Sequence, residues 1–232
     1  MSEKSSISPG PDPNFPFLDE TLSFSFPDPK EWNDNIIAIG GNLSPGMLLS
    51  AYEQGIFPWY GPDEPIIWQS PDPRCVLFPD KLHVSSSMNK ILKNCVFDIT
   101  LDNNFAGVIK GCAETKRRGQ NGTWITKDIS DAYLEMHRLG WAHSAETWHD
   151  GELVGGCYGV LMGRGFFGES MFSTKSNASK AAFICLAEFL FAHGVAFIDC
   201  QVPTNHLFSF GGESMPRVEF LELLRKHKIK RF

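Results

Sequence analysis

From Gly163 to Gln201 the chain reads as turn, strand, helix and strand, and one carboxylate within it restricts the fold more than any other residue. Gly163-Arg164-Gly165 supplies turn residues that tolerate positive φ, and Phe166 to Ser173 returns as the strand partner of Glu152–Met162. With a period of two, Phe167, Glu169 and Met171 point to one face, and Phe166, Gly168, Ser170 and Phe172 to the other. Glu169 therefore stands between a Phe and a Met, a costly place for a carboxylate unless a partner or ligand meets it. Downstream, Ser176 or Asn177 suits an N-cap, and Ala178 to His193 carries Phe183, Leu186, Ala187 and Leu190 at helical spacing before Gly194. Val195 to Val202 then reads as a buried strand with Phe197, Asp199 and Gln201 on one face and Ala196, Ile198, Cys200 and Val202 on the other. Asp199 and Gln201 are same-face neighbours about 6.6 Å apart along that strand. A lone Asp there reads as a strand-end residue bonded to a loop. Gln201 beside it and Glu169 on a candidate neighbouring strand favour a polar site in an apolar wall, the form of a small-ligand or catalytic pocket.

At 232 residues the chain holds one large domain or two small ones. No apolar run reaches the roughly 18–20 residues that span a bilayer. The start, MSEKSSISPGPDPNFPF, lacks the basic and apolar regions of a signal peptide. Six scattered cysteines without a C-x-x-C pair suggest neither a disulfide framework nor a zinc site. A cytoplasmic protein, with no membrane contact, is expected. The net charge of −6 argues against indiscriminate coating of nucleic acid but allows local contact. Lys110, Lys116, Arg117 and Arg118 cluster, and Arg225 to Arg231 forms a second basic run; each taken alone reads first as a solvated face.

Residues 1–22, rich in Pro, Ser and Gly, are expected to be disordered. A small N-terminal domain over 23–64 follows, with a short strand at Asn35–Leu43 and a helix opened by Ser44-Pro45 and stopped at Gly55. The aromatic run Ile56 to Tyr60 reads equally as core or as a platform beside a cleft. The larger domain, 65–232, carries strands near 65–68, 75–78, 96–101, 142–149 and 152–162, and helices near 85–94, 103–114, 128–139 and 217–226. Asp150-Gly151 marks a hairpin. Gly168-Glu169-Ser170-Met171-Phe172 is no nucleophile elbow, since the second Gly is missing and Ser170 lies inside a strand. Gly155, Gly156 and Gly159 lack dinucleotide-binding spacing. The β-β-α-β order is similar to that of N-acetyltransferases, but Lys116 to Asn121 fails as their coenzyme A turn. The fold expected is α+β, an N-acetyltransferase-like domain with a mixed, mostly antiparallel sheet flanked by helices, plus the small N-terminal domain.

An ordered set of segments resembles the leucyl/phenylalanyl-tRNA–protein transferase family. They are GGNLSP from Gly40, AYEQGIFPW from Ala51, WQSPDPR from Trp68, GTWIT from Gly122, Gly155-Gly156 with Tyr158-Gly159-Val160, Gly168 to Ser173, Asn177 to Lys180 and Ile198 to Val202. The resemblance implies an enzyme that moves Leu or Phe (also Met) from aminoacyl-tRNA to the α-amino group of proteins beginning with Lys or Arg, marking them for N-end-rule degradation. It implies no metal or diffusible cofactor, and a monomer is expected. By the same resemblance Asp199 and Gln201 handle the attacking amine and Glu169 binds an ammonium group. Met171 with Phe166 or Phe167 lines the aminoacyl slot, together with Cys157, Gly168, Ser170, Leu186, Leu190 and Ile198. Trp59 and Trp124, with Tyr52 and Tyr133, surround the tRNA 3′-adenosine, and Arg74, Lys116, Arg117 and Arg118 contact phosphates. Cys157 replaces the family's usual Met, and Leu186 and Leu190 stand where aromatic residues can occur, which leaves the preference between Leu and Phe open.

Overall fold

Proline and glycine place the ends of the first elements. The structure, a computed structural model, describes residues 8–115 and 123–230. Strand β1 (Ile36–Ile39) leads to helix α1 (Pro45–Glu53), which Pro45 opens at its first position. Gly55, at φ +74°, turns the chain into β2 (Phe57–Pro58), and β3 (Ile67–Gln69) pairs antiparallel with both neighbours in the order β1-β3-β2. Helix α1 is buried from Pro45 to Tyr52, which explains its apolar residues on every side.

Two expectations are corrected here. Residues 8–22 are packed rather than disordered: Gly10 N–H bonds Glu64 O (2.9 Å), Asp12 N–H bonds Gly41 O (2.8 Å), and Gly46 N–H bonds Leu18 O (2.8 Å). The segment lacks a periodic pattern because its backbone bonds reach Glu64, Gly41 and the start of α1 in turn, and Phe15 and Leu18 pack on the core singly rather than as a stripe. Residues 1–7 lie outside the described residues. The boundary also moves: β3 belongs to the small sheet, so the small unit ends in the loop after Gln69 rather than at residue 64.

The second sheet contains β4 (Arg74–Leu77), β5 (Asp98–Leu101), β6 (Ala142–His149), β7 (Glu152–Met162), β8 (Gly165–Ser173), β9 (Phe197–Gln201) and β10 (Glu213–Met215). Its helices are α2 (Ser86–Lys93), α3 (Phe105–Glu114), α4 (Lys127–Arg138), α5 (Ala178–Ala192), the short α6 (Asn205–Phe208) and α7 (Arg217–Lys226). The strand order is β10-β4-β9-β8-β7-β6-β5, antiparallel except for β8 and β9, which run parallel because α5 connects them. This is the mixed, mostly antiparallel sheet anticipated. Asp150-Gly151, both at positive φ, forms the β6–β7 turn.

Two buried clusters cover the two faces. On one, Phe105, Val108, Tyr133, Tyr158, Phe167, Phe172, Phe197 and Phe220 join α1 and the small sheet in a single core. On the other, Phe183, Leu186 and Leu190 of α5 pack on Cys157, Phe166 and Ile198. The contact of α5 with β7 is close enough that a Cβ at Gly155 would lie 2.6 Å from that of Ala178. No described helix is long and apolar enough to cross a membrane.

Candidate functional site

Two local irregularities build the site. In the β7–β8 ladder Tyr158 pairs with Ser170 and Gly159 with Gly168, so Glu169 is the extra residue of a bulge. In the β4–β9 ladder Val76 pairs with Asp199 and Cys75 with Gln201, which makes Cys200 the extra residue and leaves Gln201 at φ 61°. The first bulge breaks the strict alternation expected of β8. Phe167 and Glu169 do share a side, but Met171 joins Phe166 against α5, and Phe172 returns to the side of Phe167.

Glu169 is buried and receives three donors. The Tyr52 hydroxyl (2.9 Å) and Gln201 Nε2 (2.8 Å) donate to Oε1, and the Tyr133 hydroxyl (2.9 Å) donates to Oε2. The two phenol oxygens lie 2.5 Å apart. An ionised carboxylate offers about four acceptor sites, so the three donors leave one for a ligand. Desolvation is the largest influence on Glu169 and outweighs the hydrogen bonds from Tyr133 and Tyr52, raising its pKa to about 7. Since the folded value lies above the unfolded one, the native state holds the proton longer, and stability falls as pH rises from about 4.5 to about 7. Denaturant titrations across that window should show the slope, amounting to on the order of 3 kcal/mol. Glu169→Gln should lose this contribution, leaving a dependence shifted toward stability that rises with pH, as the lowered pKa values of His206 and His227 require.

Asp199 is fully buried and bound side-on by Arg74, with Nε to Oδ1 at 2.8 Å and the second guanidinium nitrogen to Oδ2 at 2.6 Å. Oδ1 also accepts the Gln201 backbone N–H at 2.9 Å. The guanidinium lies between the rings of Phe57 and Phe220, 4.8 and 4.6 Å from their centroids, and donates to Gly55 O. Arg74 is therefore no surface phosphate contact: it is 1% exposed, because a buried Asp199 requires a charged partner. Tyr52 and Tyr133 are also corrected. Both are fully buried, so their ring faces are closed to a nucleobase, and their hydroxyls hold Glu169. Trp59 and Trp124 are half-buried at the edge of the core. Lys116, Arg117 and Arg118 lie outside the described residues.

Beside Glu169 and Gln201 opens a cavity of about 410 Å³, walled by Cys157, Phe166, Gly168, Ser170, Met171, Phe183 and Leu186. Phe167, Leu190 and Ile198 are not in its wall. Phe167 lies in the core on the other side of the sheet, and Leu190 and Ile198 are buried in the α5 layer. The sequence reading missed Phe183, Ser179, Cys200, Thr204, His206 and Leu207 as lining residues. Phe183 was visible as part of the α5 stripe. The last three follow β9 in and around α6, a four-residue helix too short to leave a periodic signal.

The mixed sheet and its cavity thus describe an α+β protein built to hold a compact molecule with an apolar body and a hydrogen-bonding head. Comparison with known proteins gives that class a family. The family model described as leucyl/phenylalanyl-tRNA protein transferase matches residues 76–225, and the model of its N-terminal domain matches residues 41–72. The chain belongs to this family. A leucyl/phenylalanyl-tRNA–protein transferase of Desulfatibacillum aliphaticivorans is 53% identical over 202 residues, covering 87% of each chain. That of Saccharophagus degradans is 53% identical over 193 residues, 83% of this chain and 79% of its own. The protein is accordingly an enzyme, a transferase that works from aminoacyl-tRNA onto protein.

Proposed function

We propose that the enzyme transfers Leu or Phe, and also Met, to the α-amino group of proteins whose first residue is Lys or Arg, as a monomer in the cytoplasm, marking them for N-end-rule degradation. The observation that carries this reading is the junction of the apolar slot with the Glu169–Gln201 pair, a place for an apolar side chain beside an ammonium or amine group. The residual acceptor site of Glu169 takes an ammonium group, that of the aminoacyl ester or of the incoming peptide. Gln201 presents its Nε2 to the carboxylate, so its amide oxygen is the group left to accept an N–H of the attacking amine. The neutral amine adds to the ester carbonyl, the C–N bond forms, and the ribose oxygen leaves with a proton. Activation is already present in the ester, so positioning is the main demand. Asp199 acts by holding the Gln201 backbone, rather than by polarising its side chain. Trp59 and Trp124 supply faces for the terminal adenine, worth about 1–3 kcal/mol per stacked base. Lys116, Arg117 and Arg118 are assigned to phosphates on charge alone.

Slot size sets the choice between Leu and Phe. Cys157 is 3% exposed and lines the slot, so Cys157→Met shortens it. The ratio of kcat/KM for Leu over Phe is expected to rise about tenfold or more, within the roughly 1–3 kcal/mol carried by a methylene in such pockets. Competition between the two charged tRNAs measures it. The reading as a whole is tested with radiolabelled Leu, Phe and Met on tRNA, offered to peptides beginning with Arg or Ala. Label on the Arg peptide alone supports it; equal label on both, or none from folded protein that binds charged tRNA, overturns it.

A further inference from the structure

The slot wall contains a second reactive group. Cys200, the extra residue of the β9 bulge, follows Asp199 and precedes Gln201, lines the slot and is partly buried. Across the ladder Cys75 of β4 stands opposite Gln201 and is fully buried. The bulge sets Cys200 together with Gln201 against Cys75, which makes the two cysteines cross-strand neighbours; the Cys200 thiol donates to Ile198 O at 3.9 Å. Gly212 flanks the pair so closely that a Cβ there would lie 3.0 Å from Cys75 Sγ. Cys75 is paired with Gln201, and opposed Cα atoms in an antiparallel ladder lie about 4.5–5.5 Å apart; Cys200, the bulged residue facing the same Cys75, is thereby brought near the roughly 4.4–6.8 Å that a disulfide spans. The sulfurs can therefore close without separating the strands.

We propose that Cys75 and Cys200 form a reversible oxidation site, in which hydrogen peroxide entering the substrate-free slot links them and stops aminoacyl transfer. One thiolate attacks a peroxide oxygen, the O–O bond breaks, and a sulfenic acid and one water result. The second thiol attacks that sulfur, the S–S bond forms, and the sulfenic oxygen leaves as a second water. Two thiols lose two electrons and the peroxide gains them. The interaction between the two thiols lowers the pKa of Cys75 and raises that of Cys200. Closure draws Cys200 from the slot wall toward Cys75. Gln201 follows it in the chain at positive φ, so its amide leaves the place set by Glu169.

The link itself rests on the fold, whereas the loss of transfer rests on the function proposed above. Full-length protein is treated with hydrogen peroxide and analysed by non-reducing peptide mapping and by transfer assay, before and after dithiothreitol. The expected result is a link joining the peptides that contain Cys75 and Cys200, with transfer falling by about 10²-fold, as a displacement near 1 Å at a reacting group can cause, and returning with dithiothreitol. Cys75→Ala is expected to start with wild-type transfer, form no such link and show no loss that dithiothreitol reverses. Cys75→Ser replaces it if Ala does not fold. A link at other cysteines, or none before irreversible oxidation, overturns the site; a complete Cys75–Cys200 link with full transfer overturns the gating. Should the protein transfer neither Leu nor Phe, the peptide map still decides the site, so the two failures are separable.

Discussion

Gln201→Ala is expected to lower kcat/KM for aminoacyl transfer by about 10²–10³-fold, the usual effect of removing one oriented polar group from a reaction centre. The loss should fall mainly on kcat, because the amide is assigned to the amine as it attacks rather than to the aminoacyl side chain in its slot. Stability should change little. Gln201 is half-buried, its φ of 61° gives Ala no new contact, and Tyr52 and Tyr133 still hold Glu169. Single-turnover transfer from Leu-tRNA, alongside a thermal melt, separates the two effects. A variant with unchanged single-turnover rate would remove Gln201 from the chemistry, and a large drop in melting temperature would make it a structural residue.

Arg74→Ala is expected to be the most destabilising change in the site. It leaves the Asp199 carboxylate buried without its partner, which costs about 3–5 kcal/mol. For a chain of this size that lowers the melting midpoint by roughly 10 °C, at 2–4 °C per kcal/mol. Arg74→Lys should rescue only part, since an ammonium cannot make both bonds to Asp199 and also fill the space between Phe57 and Phe220. The measurement discriminates between two roles for this residue. A surface phosphate contact would weaken tRNA binding and flatten its salt dependence with no change in melting. A buried partner of Asp199 lowers the melting point even without tRNA, and unchanged stability of Arg74→Ala would refute that assignment.

Arg74 also shows where sequence reasoning ran out. In the string WQSPDPR it is an arginine after a rigid loop, and nothing local separates an outward phosphate contact from an inward ion pair. Asp199 lies 125 positions away and reaches it only because β4 and β9 are neighbours in the sheet. Tyr52 and Tyr133 repeat the lesson. Each sits on a helix face that reads simply as apolar, and α1 and α4 bring both hydroxyls to one carboxylate on β8. The expectation that Glu169 needs a partner was sound in kind, because burial of a carboxylate has a cost wherever the strand is placed. Its partners were beyond reach, because they come from three separate elements.

Alternation gave the right faces for Phe197, Ile198 and Asp199 of β9, failed at the Cys200 bulge that follows, and misplaced Met171 on β8. A period-of-two reading assumes an unbroken ladder, and a bulge is one extra residue visible only when the partner strand is aligned. The same limit explains Phe167, which shares a strand with the slot residues and faces the opposite core.

By itself the sequence determined the order and extent of most helices and strands, the antiparallel β6–β7–β8 run, the α5 crossover to β9, and the carboxylates and amide around which a site had to form. These depend on local periodicity, turn residues and desolvation cost, all properties of neighbouring residues. Only the tertiary structure decided that residues 8–22 are bonded to Gly41, Glu64 and the start of α1, that Arg74 serves Asp199, that two tyrosines serve Glu169, and that Cys75 and Cys200 are neighbours across the sheet. Each of these joins residues distant in sequence, through a strand order and two bulges that no local pattern records.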